Sequence, residues 1–194
     1  MDVTRLIIVA VGGQGNLLAS KVLGEAARRE GIAVRMSEIH GMAQRGGVVE
    51  SALVFGPAES TVISDGEADI LVSFEPLEAL RALKKCNANT VVITNTKPLP
   101  PFTAAIGRGM YPDIETIRKR IGEKTARFIE VDATRLASEA GNVLSVNMVL
   151  LGTLAATGLL PLSEENVKAA IEETTRREFL EINRKAFEMG RQSV

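Results

Sequence analysis

The chain has 194 residues, 45% of them apolar, which is enough to bury roughly 70% of its unfolded surface without disulfide or metal staples. Lys and Arg (23) nearly balance Asp and Glu (24), so no net field favours nucleic acid or an anionic membrane as partner. A single cysteine, Cys86, rules out an internal disulfide, a CxxC zinc site and a cysteine-ligated iron–sulfur cluster.

The amino-terminal "MDVTRLIIVAVGG" carries an acid at position 2 and reaches glycine after a short apolar run. It reads as neither signal peptide nor membrane span, so the expected setting is cytoplasmic. "RLIIVAV" (5–11) is the apolar run of a strand buried on both faces. "NLLASKVLGEAARREG" predicts an amphipathic helix closed by Gly31, and "IAVRMSEI" (32–39) a second strand. "GVVESALVFG" alternates and stops at Gly56-Pro57, as a third strand would. "ADILVSF" (68–74) predicts a strand, "EPLEALRALKKC" its helix with Pro76 in the first turn, and "NTVVITN" (89–95) the next strand. The proline-rich stretch 96–110 is irregular. "DIETIRKRIGEK" predicts a helix, "ARFIEVDA" (126–133) a strand, and the remainder is helical. There "LSVNMVLLGTLAATG" (144–158) is apolar on most faces and reads as buried, while Ser163 caps the helix that follows. Basic pairs such as Lys84-Lys85, Arg176-Arg177 and Arg184-Lys185 lie among acids and read as solvated helix faces. Strands alternating with helices predict one α/β domain spanning 1–194 around a mostly parallel sheet flanked by helices, with a helical C-terminal segment.

Chemistry concentrates in two loops. "VGGQGN" (11–16) joins the first strand to the first helix, where glycines permit a sharp turn and helix N–H groups attract an anion. Gly13 and Gly15 match the first two positions of a dinucleotide fingerprint, but Leu18 stands at the third. Glu38 lies near the place of a ribose-binding acid. A tight turn, a phosphate-bearing ligand or apposed subunit, and a dinucleotide site all remain open on these residues.

The second loop is "HGMAQRGG" (40–47). His40, the one histidine, has no nucleophile or second histidine in a recognisable motif and reads as a hydrogen-bonded loop residue. Arg45, beside Gly46 and Gly47, offers a fixed five-donor fork to a carboxylate or phosphate. The alternative is a salt bridge to Glu38 or Glu50. Glu75 reads as a helix cap or first-turn acid, and Asn147 needs a hydrogen-bond partner inside an apolar helix.

Together, "VGGQGNLLASKVLGEAA", "EIHGMAQRGGVVESALVFG", "ADILVSFEPLEALR" and "NMVLLGTLAATGLLP" resemble the gamma-type subunit of 2-oxoacid:ferredoxin oxidoreductases. The second segment looks most like the beta subunit of the indolepyruvate type. The resemblance covers essentially the whole chain and implies a Rossmann-like fold. It also implies a subunit that is inactive alone and partnered by a large subunit carrying thiamine diphosphate and [4Fe-4S] clusters, with ferredoxin served indirectly. The complex would decarboxylate a 2-oxoacid oxidatively and release an acyl-CoA. This chain would complete the active-site cleft and contact coenzyme A. The contact carries over to Gln44, Arg45, Gly46 and Gly47, with Gly12, Gly13, Gln14 and Gly15 as a second surface. The family often has glycine two residues before Gly12, where this chain has Ala10. Against this reading stand a standalone NAD(P)-binding reductase and a purely structural adaptor.

Overall fold

The computed structural model describes residues 2–41, 47–100 and 110–194. Its centre is a six-stranded sheet in the order β2-β3-β1-β4-β5-β6, built from β1 (Thr4–Val11), β2 (Val34–His40), β3 (Val48–Phe55), β4 (Ala68–Ser73), β5 (Cys86–Asn95) and β6 (Arg127–Val131). β1, β4, β5 and β6 pair in parallel. β3 runs antiparallel to both β1 and β2, so five strands point one way and only β3 is reversed. The mostly parallel sheet expected from the apolar runs is present.

Seven helices occupy the described residues: α1 (Asn16–Glu30), α2 (Pro76–Ala82), α3 (Ile114–Lys124), α4 (Ala133–Ala140), α5 (Val146–Ala156), α6 (Glu164–Thr174) and α7 (Leu180–Arg191). Alternation along the strands sends Leu6, Ile8, Leu53, Ile70 and Ile93 to one face, against α1 and α4–α7. Ile7, Val9, Val54, Leu71 and Val92 go to the other, against α2 and α3. Both faces of β1 are thus buried, which is why its sequence is continuously apolar rather than alternating.

Two differences from the expectation are informative. β5 begins at Cys86, and α5 begins only at Val146, leaving Leu144 71% exposed on a 3-10 turn. The apolar tract 144–158 is therefore a core helix with an exposed apolar residue ahead of it. Deeper in, α5 and α7 meet backbone to backbone. A Cβ on Gly152 would lie 2.0 Å from the Phe187 carbonyl oxygen, and one on Gly190 2.0 Å from that of Val149, so no side chain fits at the crossing.

α1 follows β1 on one face and α2 follows β4 on the other, while β1 and β4 are neighbours. Their carboxyl ends form the point where the chain changes its winding direction, the crevice in which open α/β sheets place ligands.

Candidate functional site

The glycine loop lies at that crevice. Gly13 and Gly15 have φ of 99° and 90°, the left-handed region that an L side chain enters at a cost. Gly15 is the N-cap of α1, makes no side-chain capping bond, and is followed by a first turn without an acid. The amino end of a 15-residue helix therefore presents its N–H groups and positive dipole end with no carboxylate to neutralise them, the chemistry of an anion site.

Gly12 N–H donates to the Gly47 carbonyl at 2.8 Å, which brings the two glycine-bearing loops together. Gly41 N–H donates to the Val48 carbonyl at 2.8 Å, so both ends of the 42–46 stretch are held at the same edge. Gln44, Arg45 and Gly46 themselves lie outside the described residues. An open cleft of about 610 Å³ runs along Gly12, Gly13, Gly15, Asn16 and Leu17 with His40 across from them.

Gln14 bonds the backbone of both neighbouring strands. Its Oε1 accepts from Val11 N–H at 2.8 Å and its Nε2 donates to the Phe74 carbonyl at 3.4 Å. The carboxamide thus spans the crevice and ties the ends of β1 and β4. Asn95 Nδ2 donates to the same Phe74 oxygen at 3.1 Å and to Thr134 Oγ1 at 3.0 Å, which extends the stitching to β5 and the start of α4. Asn147 Nδ2 donates to the Gly15 carbonyl at 3.3 Å from behind the loop.

Glu75 is fully buried and caps α2 through Glu78 N–H, with Tyr111 O–H donating to its other oxygen at 2.8 Å. Burial, with Glu75 as hydrogen-bond partner, pushes the Tyr111 hydroxyl well above the usual phenol range. This is a capping and docking carboxylate. Glu38 accepts from Ser51 Oγ at 3.2 Å and lies 3.5 Å from His40 Nε2. It sits on β2, the edge strand, separated from β1 by β3, whereas a dinucleotide site needs its acid on the strand beside β1.

Sequence reading missed Asn16. It is 4% exposed, donates weakly to the Val49 carbonyl at 3.4 Å, and its Oδ1 has no partner among the described residues. A buried amide oxygen without a partner is uncommon in a folded protein, and this one lies in a residue that lines the cleft. Its sequence signal was only its position directly after the third glycine of the loop.

No group of three or more His, Cys, Asp and Glu is placed to hold a metal ion among the described residues. One cysteine in the chain cannot supply the several thiolates that ligate an iron–sulfur cluster. Cys86 is buried, and burial raises its thiol to about 11, well away from thiolate reactivity. No helix among the described residues is long and apolar enough to cross a membrane.

Residues 5–193 match the family model described as pyruvate ferredoxin/flavodoxin oxidoreductase. The chain belongs to this family. Over 188 residues it is 41% identical to indolepyruvate oxidoreductase subunit IorB of Pyrococcus horikoshii, covering 96% of this chain and 93% of that one. Among solved structures, pyruvate oxidoreductase subunit PORC of Thermotoga maritima superposes with a TM-score of 0.74 at 22% identity, covering 100% and 97% of the two chains. The 2-oxoglutarate:ferredoxin oxidoreductase of Magnetococcus marinus, with 2-oxoglutarate, coenzyme A and succinyl-CoA bound, also gives 0.74 at 19% identity. There the likeness covers 99% of this chain but 31% of that one, so the family fold occurs both alone and within a longer polypeptide. The resemblance drawn from the four sequence segments is borne out.

Proposed function

We propose that this chain is the small subunit of a cytoplasmic 2-oxoacid:ferredoxin oxidoreductase of the indolepyruvate type, acting as one gamma-type domain over residues 1–194. The observation that carries the reading is the near full-length 41% identity to an IorB subunit. Thiamine diphosphate and [4Fe-4S] clusters belong to a large partner subunit, in keeping with the lone buried Cys86 here. When bound there, they supply the decarboxylation and the electron transfer to ferredoxin.

This chain's own contribution is to complete the active-site cleft and hold coenzyme A. Three features support that role. The acid-free amino end of α1 suits a phosphate. Asn16 lines the cleft beside it, with its buried amide oxygen unpartnered among the described residues. The Gly12–Gly47 bond brings Gly47 itself beside them. Arg45 supplies a planar cation for phosphate, and Gly46 and Gly47 permit close approach. Holding the thiol end of coenzyme A in place would raise its effective concentration at the reacting carbon.

The test is co-expression with a candidate large subunit rich in Cys-x-x-Cys motifs. Stable co-purification, and ferredoxin reduction that needs indolepyruvate, coenzyme A and both chains, is the expected result. A chain that stays alone and binds NAD(P)H, seen as a raised melting temperature, would overturn it.

A further inference from the structure

We propose that the pocket between the start of α5, the end of α6 and α7 is a binding site for a small monocarboxylate with an apolar body. The pocket has a volume of about 280 Å³, just below the roughly 300–1,000 Å³ of sites for drug-sized ligands, and so suits a fragment-sized molecule. It is distinct from the glycine-loop cleft and does not depend on the coenzyme A reading.

Its walls set the ligand class. Leu18, Leu144 and Phe179 supply apolar surface. Leu144 and Phe179 stay 71% and 39% exposed among the described residues, which makes an apolar rim. The floor is polar and buried, with Ser145, Asn147 and Asn183 each at most 5% exposed. Ser145 O–H donates to Asn183 Oδ1 at 2.7 Å, and Asn183 Nδ2 donates to Thr175 Oγ1 at 3.3 Å. These two bonds leave the second amide hydrogen of Asn183 and the hydroxyl hydrogen of Thr175 as unspent donors.

Charge decides between an anion and a cation. No lining residue of the pocket is acidic, and Arg176 is the charged one among them. Elsewhere on these helices arginines are held by glutamates, as Arg184 is by Glu172 and Glu181. A donor-rich floor, a guanidinium at the wall and three apolar side chains match a carboxylate head on an aryl or branched-alkyl body. Asn147 joins this pocket to the glycine loop, because it lines the pocket and also bonds the Gly15 carbonyl.

The experiment is a titration of the full-length chain with phenylacetate, followed by amide chemical shifts. Saturable shifts at Leu144, Thr175 and, through Asn147, Gly15 are expected. Phenylacetamide, which lacks the charge, and the Arg176→Gln variant should each bind at least about tenfold more weakly, the usual scale of a lost charge-assisted bond. Acetate, which lacks the apolar body, should give no saturable shift. Leu144→Asp, a change at an exposed position that leaves folding intact, should abolish binding. Equal binding of acid and amide, full binding by Arg176→Gln, or shifts confined to residues 12–15 would overturn the proposal, as would no saturable shift at all.

Discussion

Asn147 holds Gly15 from behind: its Nδ2 donates to the Gly15 carbonyl at 3.3 Å and stands 2.8 Å from where a Cβ on residue 15 would be. One amide thus fixes the N-cap of α1 and forbids a side chain there. Gly15→Ala should cost roughly 1–3 kcal/mol, from the left-handed φ of 90° and the clash. Asn147→Ala should cost about 1–2 kcal/mol for the lost buried bonds. Because truncating Asn147 also removes the clash, the double variant should be more stable than the sum of the two losses. Urea denaturation of the four proteins measures this coupling, and strict additivity would contradict it.

Gln14 positions the loop from the front, between β1 and β4. Gln14→Glu keeps the acceptor for Val11 N–H but turns the donor to Phe74 into a second acceptor, so it should destabilise by about 1–3 kcal/mol. Gln14→Ala should expose the Val11 amide, and hydrogen exchange at that one amide should speed up well before global unfolding. Unchanged protection of Val11 in Gln14→Ala would show that the carboxamide is not what ties the strands.

The α5–α7 crossing gives a sharper stability prediction. A methyl on Gly152 would overlap the Phe187 carbonyl at 2.0 Å, and neither helix backbone can yield without repacking the core on that face. Gly152→Ala should therefore cost at least about 3 kcal/mol, a fall in melting temperature of roughly 6–12 °C for a domain of this size. Thermal unfolding by circular dichroism reads it directly.

Acid sensitivity should come in part from α1 and α6. Glu25 accepts from Arg28 and Arg29, and Arg29 also reaches Glu173 on α6. The hydrogen bond from Arg28, opposed by partial desolvation, pulls the Glu25 carboxyl from 4.5 down to about 2. A carboxyl lowered on folding stabilises the folded state above its unfolded value and loses that contribution as pH falls toward the folded one. The melting-temperature gap between the wild-type chain and Glu25→Gln should be constant above about pH 5 and close between about 4.5 and 2. High salt should narrow it at neutral pH, since the pair faces solvent.

Much of this fold is legible along the chain because its signals are local. The apolar run before Gly12 reads as a strand buried on both faces, and Gly31 and Pro76 mark a helix end and a helix start through backbone geometry. What is not legible depends on pairing between distant segments. Nothing in "VVESALVF" says that β3 inserts between β1 and β2, yet that insertion is what moves Glu38 away from the crevice. Likewise "GGQG" names Gln14 as a site residue but not its direction. The carboxamide turns inward because Val11 N–H and the Phe74 carbonyl, distant in sequence, converge there. Asn16 closes the glycine loop without a recognised role there, and only its buried, unpartnered oxygen marks it.

Whether this subunit grips coenzyme A through its two glycine-bearing loops is read from the coenzyme A kinetics of the reconstituted complex carrying Arg45→Ala. Assembly and the KM for the 2-oxoacid should be unchanged, while the KM for coenzyme A should rise about tenfold or more, the scale of one lost charge-assisted phosphate contact. An assembled complex with wild-type coenzyme A kinetics would contradict the claim.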